Sequence, residues 1–250
     1  MIIGINGKIG VGKDTVGKII QYLTLPGERG EYIGFQTFDD LTLERNSTFK
    51  IKKFAGKLKP IASLLTGIPV EKFEDQEFKK VILGEEWGTV RHNPLNDIEP
   101  FAKFQFNELM SVRELLQKLG TEAMRDGLHT NVWVNALFSD YKAVIIEPAK
   151  FGGTAIGKYP NWIITDMRFP NEMEAVVKRK GITIRVVREK LPIKHSKTGK
   201  VHLLNREAFT EHPSETAIDD AKFDYEIIND GSIEDLVEKV REILITEKII

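Results

Sequence analysis

The 250-residue chain contains no cysteine, which excludes disulfide bonds, thiolate metal sites and a thiol nucleophile. It also has almost no net charge, −1 at pH 7, and so no broad excess of positive charge for nucleic acid or an anionic membrane. Residues 1–6 are apolar, but they are too few for a membrane span or a signal peptide and lack a basic leader. We therefore expect a cytoplasmic location, by default rather than from a positive signal.

The sequence does contain the alternation of strands and helices that is typical of an α/β fold. The apolar run 2–6 ends in Gly7, and a helical pattern with one apolar face extends from Lys13 to about Leu23. A strand, a Gly-rich turn and a helix form the first half of a βαβ unit. Further strands are expected at 162–165, 182–187, 225–228 and, from a weaker pattern, 143–146. Such runs suit a parallel sheet that is covered on both faces.

Three helix starts are marked by capping residues. Ser111 and Glu114 form a capping box that opens a helix, which Gly120 should close. Asn131 can cap a second helix that runs to Phe138, and Ser232 begins another capping box. Because residues 54–140 are mainly helical in pattern, we expect a helical insertion there within a single domain, 1–250.

The most informative motif is the segment 7–15, Gly-Lys-Ile-Gly-Val-Gly-Lys-Asp-Thr. Its Gly-x4-Gly-Lys spacing is that of a P-loop, in which backbone N–H groups and the N-terminus of the next helix surround a phosphate. The lysine then reaches the β- and γ-phosphates of ATP. The residues expected to bind ATP are Gly7, Gly10, Val11, Gly12, Lys13, Asp14 and Thr15.

The motif departs from the usual pattern at one position, because Asp14 stands where a Ser or Thr usually holds Mg²⁺. Two arrangements of the metal remain open. In one, Asp14 helps to hold Mg²⁺ through water; in the other, Thr15 supplies the hydroxyl ligand.

A second candidate site follows the apolar strand at 162–165. Asp166 ends this strand, and ligands of open α/β sheets bind at the carboxyl ends of strands. Asp166 can orient magnesium-bound water or an acceptor hydroxyl, and Arg168 can bind a phosphate with two hydrogen bonds. Alternatively, the two side chains pair with each other or cap the helix that Pro170 begins.

The helical insertion carries further polar candidates. Arg113 and Gln117 share a helix face, and Thr121 and Arg125 repeat that spacing beyond Gly120. Such residues are more often simply solvated. Trp133 suits a buried core position and stacking on a base about equally well.

Residues 188–206 form a basic segment with six Lys or Arg residues, two His and one acid. Phosphoryl transfer benefits from an added cation that closes over the site, so this segment is a candidate lid, at about 188–212. A solvated loop is the equally favoured alternative.

Six short blocks of the sequence follow the order of one enzyme family across nearly the whole chain. They are Gly-Lys-Asp-Thr (12–15), Phe-Ala-Gly-Lys-Leu-Lys (54–59), Arg-Glu-Leu-Leu-Gln-Lys-Leu-Gly-Thr-Glu (113–122), Thr-Asp-Met-Arg-Phe-Pro-Asn-Glu (165–172), His-Pro-Ser-Glu (212–215) and Asn-Asp-Gly-Ser (229–232). With these blocks the chain resembles the phage-type deoxynucleoside monophosphate (dNMP) kinases, a branch of the P-loop nucleoside monophosphate kinase-like enzymes. Residues 87–107 match no block.

The resemblance implies a P-loop NTPase three-layer sandwich with a parallel central sheet, a helical substrate-binding insertion and a basic lid. It implies ATP and Mg²⁺ at the P-loop, and an Asp-Thr pair at Asp14 and Thr15 that is the family's own. It also implies that a dNMP is bound by residues matching Arg113, Gln117, Thr121, Trp133, Asp166, Arg168 and Glu172. The location would then be the cytoplasm of an infected bacterial host.

We therefore expect a kinase that transfers the γ-phosphoryl group of ATP to a dNMP, with Lys13, Asp166 and Arg168 as catalytic residues. The expected partner is a small nucleotide rather than nucleic acid or a membrane, and a homodimer is left open. The nearest alternative is a kinase for a ribonucleotide or dephospho-coenzyme A. A nucleotide-dependent switch is less favoured because the Asn-Lys-x-Asp guanine signature is missing, and a DNA-associated ATPase because the charge is balanced.

Overall fold

The computed structural model describes residues 1–27, 34–91, 106–146, 156–188 and 216–250. Its strands are β1 (Ile2–Asn6), β2 (Phe49–Lys52), β3 (Thr89–Arg91), β4 (Phe106–Glu108), β5 (Val144–Ile146), β6 (Ile156–Lys158), β7 (Asn161–Ile164), β8 (Ile182–Val187) and β9 (Tyr225–Ile228). Its α-helices are α1 (Lys13–Leu23), α2 (Asp40–Asn46), α3 (Leu58–Thr66), α4 (Val112–Gln117), α5 (Val132–Phe138), α6 (Pro170–Val177) and α7 (Ile233–Thr246).

The described part of the chain contains a parallel sheet of five strands in the order β2-β7-β1-β8-β9. The P-loop strand β1 is central, since Ile3 pairs with Ile163 of β7 on one side and Ile182 of β8 on the other. All three of these isoleucines are buried. The four strands expected from the clearest apolar runs are therefore confirmed, as is the parallel α/β architecture.

Helices cover both faces of this sheet. On one face, α1 and α7 pack on the sheet in a shared apolar core that includes Ile3, Ile5, Val16 and Val240. On the other face lies α6, because Gly4 points away from that core and a Cβ on it would lie 3.2 Å from Val176 of α6. The three-layer arrangement predicted from the sequence is confirmed.

Two strands differ from the sequence-based prediction. The segment at 143–146 was expected in the parallel sheet, which is wrong: β5 pairs antiparallel with β6 in a separate hairpin. Val144 is exposed there, so this run is not buried on both faces. The parallel sheet instead gains β2 at its edge, a strand of only four residues in which buried Phe49 and half-buried Ile51 alternate with lysines.

The chain divides into two compact units, which we call the sheet unit (Met1–Phe54 with Leu137–Ile250) and the helical unit (Ala55–Ala136). The helical unit contains α3, α4 and several short 3₁₀ turns around its own apolar core, and a two-stranded antiparallel hairpin of β3 and β4. That core consists of Ala62, Phe73, Leu83, Val112 and Leu115. The acceptor-binding role expected for an insertion at about 54–140 stays a prediction.

The helix that begins at Ser111 does not end at Gly120, so that prediction is wrong. The capping box of Ser111 and Glu114 is present as expected, but after Gln117 the chain continues through a π-helical segment, Lys118–Leu128. Gly120 is buried in this segment, and a Cβ there would lie 3.0 Å from the side chain of Leu58. The glycine therefore allows close packing of the helix instead of ending it.

The other two helix starts agree with the predicted caps. Helix α5 begins after Asn131, and Ser232 accepts the Asp235 N–H at the start of α7, whose Leu236 and Val240 are buried. The predicted lid at 188–212 lies outside the described residues except for Arg188, and most of 87–107 does too. Within the described ranges, the structure has no helix with the length and apolarity of a bilayer span.

Candidate active site

The segment between β1 and α1 has the backbone of a phosphate-binding loop. Gly10 and Gly12 have positive φ angles of 82° and 102°, which residues with a side chain rarely adopt. Gly12 is the N-cap of α1, and its carbonyl accepts the first helical hydrogen bond from Val16 N at 2.9 Å. The loop thus places the positive end of α1 at its centre.

Lys13, the first residue of α1, folds its side chain back over this loop. Its Nζ donates hydrogen bonds to the carbonyl oxygens of Gly7, at 2.5 Å, and Lys8, at 2.7 Å. The ammonium group therefore lies within the loop.

The loop is held from the far end of the chain by Asn229, which directly follows β9. Its side-chain amide donates to the carbonyl of Val11 at 2.8 Å, and its backbone N–H donates to Val187 O at 2.7 Å. Val11 also buries its side chain in the core, at 9% exposure. Asn229 therefore links the phosphate loop to the carboxyl edge of the sheet through hydrogen bonds.

Asp14, at the position that departs from the usual motif, bonds to two residues that follow strands. Its Oδ1 accepts the hydroxyl hydrogen of Thr165 at 2.8 Å and lies 3.4 Å from the Nζ of Lys53. Thr165 follows β7 and Lys53 follows β2, so both come from the carboxyl edge of the sheet. The side chains of Asp14 and Lys53 are 64% and 42% exposed.

The surroundings of Asp14 keep its carboxyl group ionised. Partial burial raises the pKa of Asp14, but the nearby Lys53 ammonium, the Thr165 hydroxyl and the Lys13 ammonium lower it. The lowering effects prevail, so the pKa lies below its ordinary value. Asp14 therefore carries a negative charge next to the phosphate loop at neutral pH.

Asp166 and Arg168 lie on the loop that joins β7 to α6. The Asp166 Oδ1 accepts the backbone N–H of Phe54 at 2.7 Å, which ties this loop to the end of β2. Asn6, at the end of β1, donates to Met167 O at 2.9 Å. The loop is therefore fixed by the two strands that flank β7.

Glu172 stabilises the same loop from the first turn of α6. It is 3% exposed, and its Oε2 accepts the backbone N–H of Arg168 at 2.7 Å and that of Phe169 at 3.1 Å. Pro170 occupies the first turn of the helix as expected. Glu172 thus orients the backbone that carries Arg168.

The other acceptor-side candidates all lie in the helical unit. Arg113 is half-buried and its guanidinium is 3.4 Å from the Gln76 side-chain oxygen, while Gln117 is exposed. Thr121 and Arg125 are half-buried in the π-helical segment that continues α4. The prediction that these residues contact an acceptor together with Asp166 and Arg168 stays a prediction.

Trp133 is 6% exposed, and its indole N–H donates to the carbonyl of Gly120 at 2.8 Å. Of its two predicted roles, the buried one is what this structure shows. A buried indole usually finds such a partner for its N–H group.

Lys53, Thr165 and Asn229 were not singled out from the sequence as site residues. The alternation of Phe49 and Ile51 was a signal for β2, and recognition of that strand would have placed Lys53 at the carboxyl edge of the sheet. For a metal, the described residues contain no cluster of three or more His, Asp or Glu side chains.

The segment that precedes β9 also contacts the phosphate loop. Lys8 forms an ion pair with Asp219 at 3.3 Å. Arg185 of β8 donates to the carbonyls of Ile218 and Asp219, both at 2.6 Å, and lies over the ring of Phe223. This segment is thus anchored to both β8 and the loop.

Comparison with known proteins gives two matches. A protein-family model described as deoxynucleotide monophosphate kinase matches residues 43–240. The chain is also similar to the deoxynucleotide monophosphate kinase of Escherichia phage RB69, with 27% identity over 153 residues. That alignment covers 59% of this chain and 52% of the relative, so the chain spans about half the length of the curated relative it matches. The family model begins beyond residues 7–15, whose assignment rests on their motif and geometry.

Proposed function

Since the chain belongs to the deoxynucleotide monophosphate kinase family, we propose that it transfers the γ-phosphoryl group of ATP to a dNMP. The products are ADP and a deoxynucleoside diphosphate. The observation that carries this proposal is the phosphate loop at the carboxyl edge of the sheet, with the Lys13 ammonium inside it. The loop supplies the donor site, and the family supplies the class of acceptor.

The proposed reaction is a direct in-line displacement. An oxygen of the acceptor phosphate bonds to the γ-phosphorus while the bond to the β–γ bridging oxygen breaks, and the electron pair leaves with ADP. Lys13 and the loop amides hold the β- and γ-phosphates. Positioning and charge stabilisation supply most of the rate, because little covalent chemistry falls to the protein.

The residues beside the loop suit Mg²⁺, which prefers oxygen ligands. Thr15 offers a hydroxyl one position beyond Asp14, and the low pKa of Asp14 keeps its carboxylate available to a metal-bound water. We assign Thr15 to the metal and Asp14 to its water shell. When bound, Mg²⁺ offsets the charge of the β- and γ-phosphate oxygens.

On the acceptor side, we propose that Arg168, with Arg113 or Arg125, binds the acceptor phosphate, and that Asp166 orients metal-bound water or the sugar. Gln117 and Thr121 complete the acceptor contacts. The hydrogen bonds of Glu172 and Trp133 support indirect roles, in which Glu172 holds the backbone of Arg168 and Trp133 holds that of Gly120, the residue before Thr121. The cytoplasmic location, the infected host and the homodimer remain predictions.

The proposal is tested by coupled measurement of ADP release with ATP and Mg²⁺ against dNMPs, ribonucleoside monophosphates and dephospho-coenzyme A. We expect turnover with several dNMPs and weak turnover with the ribonucleotides. Turnover with dephospho-coenzyme A alone would contradict the acceptor assignment, and turnover that requires DNA would contradict the kinase assignment.

A substitution of Lys13 tests the phosphate loop itself. Lys13→Met removes the ammonium that would stabilise the negative charge on the γ-phosphate oxygens during transfer. We therefore expect kcat to fall by about 10²–10³-fold. Lys18→Met is a matched control on the same helix, because Lys18 pairs with Asp40 and lies outside the loop. Circular dichroism should be unchanged in both variants, and near-normal turnover of Lys13→Met would remove the loop from the mechanism.

A further inference from the structure

The end of strand β2 brings a second ammonium group to the phosphate loop. Lys53 directly follows β2, and its Nζ lies 3.4 Å from the Oδ1 of Asp14. Asp14 is the residue after Lys13, in the first turn of α1. Two lysine side chains, Lys13 from the helix after β1 and Lys53 from the end of β2, therefore lie near the proposed position of the γ-phosphate.

The backbone around Lys53 is firmly held. The next residue, Phe54, donates its N–H to Asp166 at 2.7 Å, and Thr165 N donates to Lys52 O at 3.3 Å. The Lys53 side chain therefore extends from a fixed point, with Asp14 directing its ammonium group.

The ion pair between Lys53 and Asp14 is not explained by its contribution to folding stability. Both side chains are substantially exposed, and exposed ion pairs contribute little to folding. The pair instead keeps a solvent-accessible cation beside the loop. Asp14 can hold the Lys53 ammonium beside the loop because its carboxylate is negatively charged. The Ser or Thr that usually occupies this position is uncharged and could not form this ion pair.

We propose that Lys53 is a catalytic residue that contacts the γ-phosphoryl group during its transfer, and that Asp14 is the positioning residue that holds Lys53 for it. The inference rests on the proposed function and adds a residue to it. Lys53 donates hydrogen bonds to an equatorial oxygen of the moving group and transfers no proton. The bond changes remain those of the in-line displacement.

The charge distribution of the reaction explains the use of a second lysine. Negative charge spreads over three equatorial oxygens in phosphoryl transfer. The Lys13 ammonium is bonded to the Gly7 and Lys8 carbonyls, which places it on the loop side of the phosphates. The Lys53 ammonium comes from the end of β2 and can therefore donate to an equatorial oxygen on a different side of the γ-phosphoryl group.

The first test compares Lys53→Met, Lys53→Arg and the neighbouring control Lys52→Met, since the Lys52 ammonium lies over Trp162. Lys53→Met should lower kcat by about 10²-fold, and Lys53→Arg should recover part of that loss. Calorimetry should show that Lys53→Met weakens binding of β,γ-imido-ATP by about tenfold while ADP affinity is retained. Lys52→Met should leave all three quantities close to wild type.

Two results of this test would overturn the proposal. One is a kcat for Lys53→Met within about threefold of wild type. The other is an equal loss of affinity for ADP and the ATP analogue together with a lowered melting temperature, which would make Lys53 a structural anchor.

The role of Asp14 is tested by a double-mutant cycle. Asp14→Asn should lower kcat by about tenfold in the wild-type background and have little further effect in Lys53→Met, because the two residues act as one unit. The Mg²⁺ concentration for half-maximal activity should rise by less than about threefold, because Asp14 reaches the metal only through bound water. Full additivity, or a loss of Mg²⁺ affinity large enough to account for the whole fall in kcat, would make the metal the main role of Asp14 and overturn its role as the positioning residue.

The binding measurements need no acceptor, so they separate this inference from the proposed function. If the wild type moves phosphate to no dNMP while Lys53→Met still loses affinity for the ATP analogue alone, the acceptor class is wrong and the Lys53 contact stands. If dNMP turnover is normal and the analogue affinity is unaffected by Lys53→Met, the contact is wrong and the proposed function stands.

Discussion

At the scale of single residues, the shape of the phosphate loop depends on a contact between Gly12 and Asn229. Gly12 has a φ of 102°, and a Cβ on it would lie 2.6 Å from the Asn229 amide nitrogen. That amide is the group that holds the Val11 carbonyl. A side chain at position 12 would therefore strain the backbone and displace the support of the loop at the same time.

Gly12→Ala should raise the KM for ATP by about tenfold or more, because the loop amides lose their alignment. Gly27→Ala is the matched control, since Gly27 also has a positive φ, 86°, but a Cβ on it would have no atom within 4 Å. Both variants should lose about 1 kcal/mol of stability from backbone strain. Steady-state kinetics with urea unfolding measure both effects, and an equal KM in the two variants would contradict this role of Asn229.

At the scale of secondary-structure elements, the first turn of α6 determines the loop that precedes it. Buried Glu172 accepts two backbone N–H groups with one carboxylate oxygen, from the two residues just before the helix. A helix N-terminus favours such a negative charge. The helix start thus holds Arg168 in a defined direction at the carboxyl edge of the sheet.

Glu172→Ala should cost about 2–3 kcal/mol of unfolding free energy, because the buried N–H of Phe169 and the part-buried N–H of Arg168 lose their acceptor. It should also raise the KM for the dNMP more than the KM for ATP, since Arg168 loses its support and the P-loop does not. Urea unfolding and kinetics with both substrates varied will check this.

The control for Glu172→Ala is Ser232→Ala, which removes a cap from α7 on the other end of the chain. It should cost about 1 kcal/mol and leave both KM values unchanged. If the two variants had the same kinetic effect, Glu172 would matter through stability alone.

At the scale of the whole molecule, several acidic side chains link folding to pH. Backbone N–H groups at helix starts donate to Asp39, Glu114 and Asp235, and this lowers the pKa of each carboxyl. Each group therefore has a lower pKa in the folded chain than in the unfolded chain. Their stabilising contribution is complete above the unfolded pKa values, about 4, and is lost as the pH falls through the folded values.

The unfolding free energy contributed by these caps should therefore be constant between about pH 5 and pH 7 and decline below about pH 4. Urea unfolding across this range will measure the decline. Asp235→Asn should be less stable than wild type at pH 7 and should show a shallower decline in acid. Stability that rises from pH 5 to pH 3 would contradict the lowered pKa values.

The local elements of this protein were predictable because their causes are local. The Gly-x4-Gly-Lys spacing, the capping boxes at Ser111 and Ser232, and the apolar faces of α1 and α7 each act within a few residues of the chain. The apolar runs of β1, β7 and β8 likewise indicated strands buried on both faces, whereas β9 at the sheet edge buries only Ile227. The backbone conformation and burial of a short segment can be inferred from the types and spacing of the residues within it.

The partners of those elements were decided by the tertiary structure. Strand β5 has an apolar run like the others, yet it pairs in an outer hairpin, while the less apolar β2 occupies the sheet edge. Gly120 lies within a helix, where its missing side chain lets Leu58 pack closely against it.

The meeting of Lys53, Thr165 and Asn229 with the phosphate loop also arises only in the folded chain. Parallel strands bring their carboxyl ends to one edge of the sheet from distant parts of the sequence. The spacing of residues within a strand does not indicate which strand ends become neighbours. The sequence by itself thus determined the phosphate loop, the starts of α1, α4, α5, α6 and α7, and four of the five strands of the parallel sheet, while the folded sheet determined which side chains surround the loop.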